Sequence, residues 1–210
     1  MIIAIDAAST DLSLALARAD GTLMAADTWS SAQRQSAELT PRLLDLLGRS
    51  GVGLGDVSLL AVGTGPGSFT GLRVAMALAK GLAVALKRPL VGVASLESWL
   101  DEAPEAHAAI ARAGAREAYV LERGGEPIVV SEAGIVERLG KIEVIAPSEL
   151  AAAFGLANAS GPRGAPAIAR RGARRIETDP GGDDVRTLEP IYLRAPRGVE
   201  VATEAQVRWL

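Results

Sequence analysis

The sequence predicts an α/β fold in which mixed sheets are flanked by helices. The chain opens with three strand-like segments and then alternates helical and strand-like patterns. A continuous apolar run over 57–64 is typical of a strand that is covered on both faces. A helical pattern over 70–86 follows it, ahead of a further strand-like segment at 89–93. Because this order is strand, helix, strand, it indicates a parallel crossover after an antiparallel opening.

The antiparallel opening is predicted from the first thirty residues. Residues 2–7 have the pattern of a buried strand, and 13–18 and 22–29 have the pattern of two more. Asp20-Gly21 lies between the second and third segments and is a strong signal for a short hairpin turn. We therefore expect a three-stranded antiparallel meander.

A helix is predicted next, over 36–47, from leucines at spacings of three and four. Pro41 falls inside this pattern and leaves two possibilities open. The helix could begin with Thr40 as its cap and Pro41 in its first turn, or begin earlier and bend at the proline. A later helix is predicted to start at Ser95, with the Ser95 side chain as its cap.

The composition changes after residue 103, which predicts two lobes, 1–103 and a smaller, more irregular 104–210. The predicted elements of the second lobe are a hairpin at 118–122 and 127–130, a strand at 142–145, a helix at 147–154, a loop-rich helical region at 155–184 and a final strand at 188–193.

Composition excludes several kinds of active site. The chain has no cysteine, which excludes disulfides, thiolate metal sites and cysteine nucleophiles. His107 is the only histidine, so neither a zinc peptidase site nor a catalytic pair of histidines can be assembled. We therefore expect no catalytic residues, no metal and no cofactor.

The charge balance is slightly acidic, with a formal net charge of -3. Proteins that hold RNA unaided usually carry a basic patch. One local cluster could form such a patch or simply a solvated face, and it comprises Arg170, Arg171, Arg174 and Arg175. The amino terminus lacks a signal-peptide pattern, and no uncharged stretch has the length of a membrane span. We expect a cytoplasmic protein that does not associate with a membrane.

The most informative segment is Gly63-Thr64-Gly65-Pro66-Gly67-Ser68-Phe69-Thr70-Gly71-Leu72-Arg73. It joins a predicted buried strand to a helix, which is the place where nucleotide folds bind phosphate. It matches neither the P-loop nor the dinucleotide fingerprint, and Pro66 removes a backbone donor. A structural turn and an anion cradle both remain open.

The helix that follows is apolar or small on nearly every side. Ala77, Gly81 and Ala85 form a row, four residues apart, with almost no side-chain bulk. A sheet covers only one side of such a helix, so the other side needs either the 36–47 helix or a partner subunit. We interpret this helix as part of a protein interface.

Asp6, at the end of the first predicted strand, is a weak candidate for binding a nucleotide, with Ser9 shortly after it. A strand-end aspartate more often caps a turn. Acidic pairs such as Glu102 and Glu105, or Asp183 and Asp184, are typical of solvated surface.

Taken together, four stretches resemble the TsaB (YeaZ) family. They are Ile5-Asp6, Ser13-Leu14-Ala15-Leu16, the nonapeptide Gly65 to Arg73, and Gly92-Val93-Ala94-Ser95-Leu96. Weaker likenesses follow at Glu117-Ala118-Tyr119 and Pro190-Ile191-Tyr192-Leu193-Arg194. The resemblance implies a two-lobed actin/sugar-kinase/Hsp70-like (ribonuclease H-like) fold.

The resemblance also implies a function. Members of the family lack a catalytic centre and pair with a related catalytic subunit, TsaD, and with an ATPase subunit, TsaE. Together these proteins transfer threonylcarbamoyl to N6 of the adenosine 3′ of the anticodon, in tRNAs that read codons starting with A. The family also implies a homodimer through the same helices when the protein is alone, and contact with tRNA only through the complex.

Pairing in the family uses helices of the first lobe, in agreement with the apolar helix. The predicted interface residues are Ser36, Thr40, Leu43, Leu44, Thr70, Gly71, Arg73, Val74, Ala77, Leu78, Lys80, Gly81 and Ala85.

The chain departs from the family after the first strand, where Asp6-Ala7-Ala8-Ser9 replaces the usual Asp-Thr-Ser-Thr. Gln35-Ser36 and Arg112-Ala113-Gly114 are further departures, and no catalytic or nucleotide-binding residue is assigned to them. The alternative function is an ATP-binding phosphotransferase or ATPase of the same fold. It requires a second-lobe phosphate loop, for which Asp179-Pro180-Gly181-Gly182 is the nearest match.

Overall fold

The computed structural model describes residues 1–31, 34–114 and 116–193. Its strands form two five-stranded sheets. The strands are β1 (Ile2–Asp6), β2 (Asp11–Ala17), β3 (Leu23–Ser30), β4 (Leu59–Gly65), β5 (Leu90–Ala94), β6 (Ala108–Gly114), β7 (Glu117–Glu122), β8 (Ile128–Ser131), β9 (Val144–Ile145) and β10 (Ala159–Ser160). The helices are α1 (Gln35–Arg49), α2 (Phe69–Leu86), α3 (Ser95–Asp101), α4 (Glu132–Leu139), α5 (Ser148–Phe154) and α6 (Gly164–Thr178).

The first sheet has the strand order β3-β2-β1-β4-β5. Strands β1, β2 and β3 pair antiparallel, which confirms the predicted meander. Strands β1, β4 and β5 pair parallel, which confirms the predicted crossover through the helix between them. The sheet is therefore mixed, because the short connections 7–10 and 18–22 join antiparallel neighbours, while α2 carries the chain from β4 to the parallel strand β5.

The first sheet is covered on both faces. Alternate residues of its strands, such as Ile3 and Ile5, pack with leucines of α1 and small residues of α2. The intervening residues, such as Ile2 and Ala4, pack with α6. This arrangement explains why β1 and β4 are apolar on both sides in the sequence.

The second sheet has the order β10-β9-β6-β7-β8. The antiparallel pairing of β7 with β8 confirms the predicted second hairpin. Helices α4 and α5 pack on one face of this sheet. Helix α3 packs on the other face and also contacts Ala8 and Leu72 of the first lobe, so it lies between the two lobes.

The structure selects the earlier of the two starts left open for α1 and differs from the other sequence-based predictions in the features that follow. Helix α1 begins before Pro41 and contains it. Ala94 rather than Ser95 is the N-cap of α3, because the Ser95 hydroxyl donates to Asp6 and accepts from Gly65. The predicted strand at 188–193 is wrong, since this segment has no regular strand pairing. Strand β6 and helix α4 were not predicted.

The predicted division at residue 103 separates the two sheets but not the helices around them. Helix α6 comes from the predicted second lobe, yet it packs on the first sheet through Ala165, Ile168 and Ala169. The first lobe is therefore completed by a late segment of the chain. Residues 194–210 of the predicted second lobe lie outside the described residues.

Candidate protein interface

Helix α2 presents an open apolar face. The side chains of Ala75, Met76, Ala79 and Ala83 pack on the first sheet, and that of Leu72 packs between the lobes with residues of α3. On the opposite side Val84 is 66% exposed, and a Cβ added to Gly81 would meet no atom within 4 Å. The chain's own 36–47 helix, the alternative cover left open by the sequence, packs beside α2 but leaves Gly81 and Val84 uncovered.

Helix α1 continues this surface on one flank. Its buried residues, including Leu39, Leu43 and Leu46, face the sheet and α2. Its outward positions include Ser36, Thr40 and Leu44, and the Leu44 side chain is 55% exposed. Helices α1 and α2 thus form one platform, which we call the α1–α2 face: Ser36, Thr40, Leu44, Thr70, Val74, Ala77, Leu78, Gly81, Val84 and Ala85.

Most of the predicted interface residues are wholly or partly exposed on this platform or at its edge. Two are not and are corrected here. Leu43 is 2% exposed and lies in the core. Gly71 is buried, and a Cβ on it would overlap the carbonyl oxygen of Ala7, so it is a close-packing position. The spacing of leucines in α1 does not distinguish Leu43, which faces inward, from Leu44, which faces outward.

Sequence reasoning missed two exposed apolar residues of this helix. Val84 lies three residues after Gly81 and seven after Ala77, so helical spacing could have identified it. Phe69 is 38% exposed, at the first position of the helix. Because apolar or small residues occur on nearly every side of α2, the sequence pattern does not distinguish its exposed side from its buried side.

Arg73, on the charged edge of α2, contacts Tyr192 in the late segment 188–192. The guanidinium carbon of Arg73 lies 3.9 Å from the centre of the Phe69 ring and 5.7 Å from that of the Tyr192 ring. The Nε of Arg73 also donates a hydrogen bond of 2.9 Å to the Tyr192 hydroxyl. A groove of about 270 Å³ runs beside this contact, between α2 and residues 188–192, with Lys80 and Glu189 among its lining residues.

The glycine-rich turn before α2 uses its donors within the chain. The backbone N–H of Ser68 donates to the Ala8 carbonyl over 2.8 Å, and that of Gly65 donates to the Ser95 hydroxyl. The Ser68 hydroxyl caps α2 by accepting from Gly71. A Cβ on Gly67 would overlap the Ala8 carbonyl. These contacts favour the structural turn over the anion cradle.

Asp6 and Ser9, the weak candidates for binding a nucleotide, have partners inside the fold. Asp6 is 2% exposed and accepts hydrogen bonds from Trp99, Ser95 and the Ala8 backbone. Burial raises the pKa of Asp6, and these hydrogen bonds oppose the rise. The Ser9 hydroxyl bonds to the Asp11 backbone. A nucleotide site at these residues stays a prediction, and both side chains already have structural roles.

The arginine cluster lies on α6 and is largely neutralised. Arg170 pairs with Glu102, Arg171 with Glu97 and Asp101, and Arg175 with Asp183. Glu102 and Asp183, which the sequence pattern assigns to solvated surface, are thus partners of these arginines. Because most of the positive charge is matched, the cluster has the character of a link between α3 and α6 rather than of a free basic patch.

The nearest match to a second phosphate loop lies on the first lobe instead. Gly182 has a φ of 67°, and the following N–H, that of Asp183, donates to the Leu90 carbonyl on β5. A residue with a side chain is strained at such a φ. These glycines therefore fit a turn against the sheet edge. Among residues 1–31, 34–114 and 116–193, no group of three or more His, Cys, Asp or Glu is placed to hold a metal ion.

Helix α2 is long and apolar enough to cross a membrane by length and composition alone. A core helix of a globular protein passes the same test. One third of its residues are buried inside the fold, where they pack on the first sheet.

Comparison with known proteins gives a consistent set of relatives. The family model of TsaD, tRNA N6-adenosine threonylcarbamoyltransferase, matches residues 30–171. The chain is 41% identical over 96 residues to the tRNA threonylcarbamoyladenosine biosynthesis protein TsaB of Escherichia coli, a match that covers 45% of this chain and 40% of the relative. It is 37% identical over 97 residues to TsaB of Bacillus subtilis, covering 46% and 42%. The chain thus spans about two fifths of the length of these relatives.

The solved structures agree on the fold. YeaZ from Pseudomonas aeruginosa superposes with a TM-score of 0.69 at 23% identity, covering 91% of this chain and 99% of the other. A second structure, described as similar to peptidase YeaZ from Pseudomonas aeruginosa, gives a TM-score of 0.70 at 24% identity, with 92% and 99% covered. The two-lobed fold with mixed sheets flanked by helices, predicted from the sequence, is confirmed.

Proposed function

Because the chain belongs to the TsaB (YeaZ) family, we propose that it is an accessory subunit in the biosynthesis of threonylcarbamoyladenosine in tRNA. It pairs through the α1–α2 face with the catalytic subunit TsaD, and the ATPase subunit TsaE joins them. The complex modifies N6 of the adenosine 3′ of the anticodon, in tRNAs reading codons that start with A. The complex acts in the cytoplasm, and this chain contacts tRNA only through the complex.

The observation that carries this proposal is the open side of α2. Val84 is 66% exposed and Leu44 is 55% exposed. Ala77, Gly81 and Ala85 are also exposed and have almost no side-chain bulk. An apolar platform of this kind is typical of a protein interface. The small residues Ala77, Gly81 and Ala85, which we call the crest of the α1–α2 face, allow the backbone of a partner helix to approach closely. A second copy of the chain can use the same face when the partner is absent.

The interior of the first lobe supports an accessory role over an independent phosphotransferase or ATPase. Asp6 is enclosed by Trp99 and Ser95, and the turn before α2 donates to the chain's own atoms. A phosphate-transfer site instead needs backbone donors and a carboxylate that are open to the ligand.

The proposal is tested by reconstitution. The catalytic and ATPase subunits are incubated with ATP, threonylcarbamoyl adenylate and tRNA, with and without this chain, and modified adenosine is measured. We expect modification to depend on the chain. Gly81→Arg is expected to remove both the pairing and the modification, because a long charged side chain cannot be accommodated on the crest.

The matched control is Gly161→Arg. Gly161 is also exposed, with no atom within 4 Å of an added Cβ, but it lies outside the α1–α2 face. This variant is expected to pair and to support modification as the wild type does. If Gly81→Arg pairs normally, the interface is assigned to the wrong surface. If modification proceeds equally well without the chain, the accessory function is wrong.

A further inference from the structure

The charges along α2 are all of one sign. Between Phe69 and Leu86 the helix has no aspartate or glutamate, and its charged residues are Arg73 and Lys80. These two are seven residues apart, so they lie on the same side of the helix, separated by about 10 Å along its axis. They border the uncharged crest of the α1–α2 face.

In the described part of the chain, Arg73 and Lys80 do not form close ion pairs. Among the described residues, no carboxylate lies within 4 Å of the charged nitrogens of either Arg73 or Lys80, and Arg73 bonds instead to the Tyr192 hydroxyl. Two acidic residues of the segment 184–189, Asp184 and Glu189, lie in the neighbourhood of this edge. Asp184 is paired with Arg186, and Lys80 makes only a minor contribution to lowering the pKa of Asp184. Glu189 lines the far side of the groove.

The charges of α1, by contrast, are already paired away from the crest. Arg42 pairs with Asp27 of β3, Arg49 with Asp45, and Arg34 with Glu38. The outward side of α1 therefore adds apolar and neutral polar groups, Thr40 and Leu44 among them, but little net charge to the platform. The uncompensated charge of the α1–α2 face comes from its Arg73–Lys80 edge.

This asymmetry bears on which protein can occupy the face. In a symmetric dimer the same patch meets itself, so a second copy brings to the Arg73–Lys80 edge only residues of the same α1–α2 face, none of which is acidic. A different protein can place negative charge there. We infer that the α1–α2 face selects a partner helix that is apolar along its contact line and carries carboxylates about two turns apart, in preference to a second copy of this chain.

This inference rests on the proposed function and names the chemistry of the partner at the same surface. A charge at the rim of an interface acts mainly on the rate of association and on its salt dependence, whereas buried contacts act mainly on the rate of dissociation. Selection by charge therefore predicts opposite effects on the two kinds of pairing. A merely structural role for Lys80 would weaken both.

The test is Lys80→Glu, with Lys80→Gln as an intermediate step. The dissociation constants for TsaD and for self-association are measured at low and at high salt. We expect Lys80→Glu to weaken TsaD binding roughly threefold to tenfold at low salt, with a smaller loss at high salt because ions screen the interaction. The same change is expected to leave self-association as strong or to tighten it. Lys80→Gln should fall between the wild type and Lys80→Glu.

The matched control is Lys141→Glu, which makes the same change of net charge at an exposed position in the second lobe. It is expected to alter neither equilibrium. Equal weakening of both pairings by Lys80→Glu, or no change in TsaD binding, would overturn the selection by charge while leaving the accessory function standing. Failure of the wild-type chain to bind TsaD at any salt would overturn the proposed function and this inference together.

Discussion

The indole N–H of Trp99 donates a hydrogen bond of 2.8 Å to one carboxylate oxygen of Asp6, and both side chains are almost completely buried. Asp6 ends the first strand of the first lobe, while Trp99 lies on α3, between the lobes. Ser95, one turn earlier on α3, donates to the other carboxylate oxygen. The contact therefore joins the end of β1 to the helix that connects the two sheets.

Replacing Trp99 by phenylalanine removes this donor. We expect Trp99→Phe to lower the free energy of unfolding by about 2–4 kcal/mol, because a buried carboxylate loses a hydrogen bond and the core loses volume. Trp29→Phe is the matched control: Trp29 donates to Glu38, whose side chain is 21% exposed. Urea unfolding of both variants is the measurement. An equal loss in the two would show that the Asp6 contact adds nothing beyond packing.

The stability of the fold is expected to depend on pH through Asp6. Burial raises the pKa of Asp6, so the folded chain binds this proton more readily than the unfolded chain. The contribution of Asp6 to stability is then largest when it is protonated, and it falls as the pH rises from the unfolded pKa through the folded one. We expect the free energy of unfolding of the wild type, minus that of Asp6→Asn, to decrease as the pH rises above about 4.

The control for this pH series is Asp20→Asn. Hydrogen bonds from Thr22 lower the pKa of Asp20, so the corresponding difference for this variant is expected to increase with pH over the acid range. Urea unfolding at several pH values measures both differences. Two curves with the same slope would contradict the assignment of the acid dependence to the buried carboxylate.

The first lobe could be predicted from sequence because its signals are local. Asp20-Gly21 fixes a hairpin turn, and the apolar run that forms β4 has no other stable place than inside a sheet. The later part of the chain could not be predicted as well. Helix α6 has a clear apolar stripe, but nothing in its own sequence says that it packs on the first sheet rather than on the second.

The candidate interface was predictable to the level of the helix but not of every residue. The row of Ala77, Gly81 and Ala85 is visible in the sequence and exposed in the structure. Gly71 belongs to the same helix and is equally small, yet it is needed for the approach to Ala7. Sequence spacing cannot separate a small residue that is exposed from one that is needed for packing inside the fold, because the two look alike in the sequence.

That difference can be measured by adding one methyl group. We expect Gly71→Ala to destabilise the fold by about 2 kcal/mol or more, because its Cβ would overlap the fixed carbonyl of Ala7. Gly48→Ala is the control, since Gly48 also lies in a helix but has no atom within 4 Å of an added Cβ. That change is expected to stabilise the fold by about 0.5–1 kcal/mol through helix propensity. Thermal unfolding distinguishes them, and stabilisation by both would contradict the close approach.

The β5 edge of the first sheet, which residues 181–184 cover, gives the last prediction. The Asp183 carboxylate accepts from the backbone N–H of Gly92 on β5, over 2.7 Å, and pairs with Arg175. Asp183→Ala leaves that N–H without its partner, so we expect a loss of about 1–3 kcal/mol in the free energy of unfolding. An unsatisfied sheet edge also favours pairing with other chains, so aggregation on heating should increase.

Asp179→Ala provides the matched control, because it removes the same charge four residues earlier on an exposed side chain. The turn bond made by Asp179 uses its backbone carbonyl, as acceptor from Gly182, and survives the substitution. This variant is expected to unfold and aggregate as the wild type does. Light scattering during thermal unfolding measures both properties at once. Equal behaviour of the two variants would mean that the main chain of 181–184 closes the edge of β5 without the Asp183 side chain.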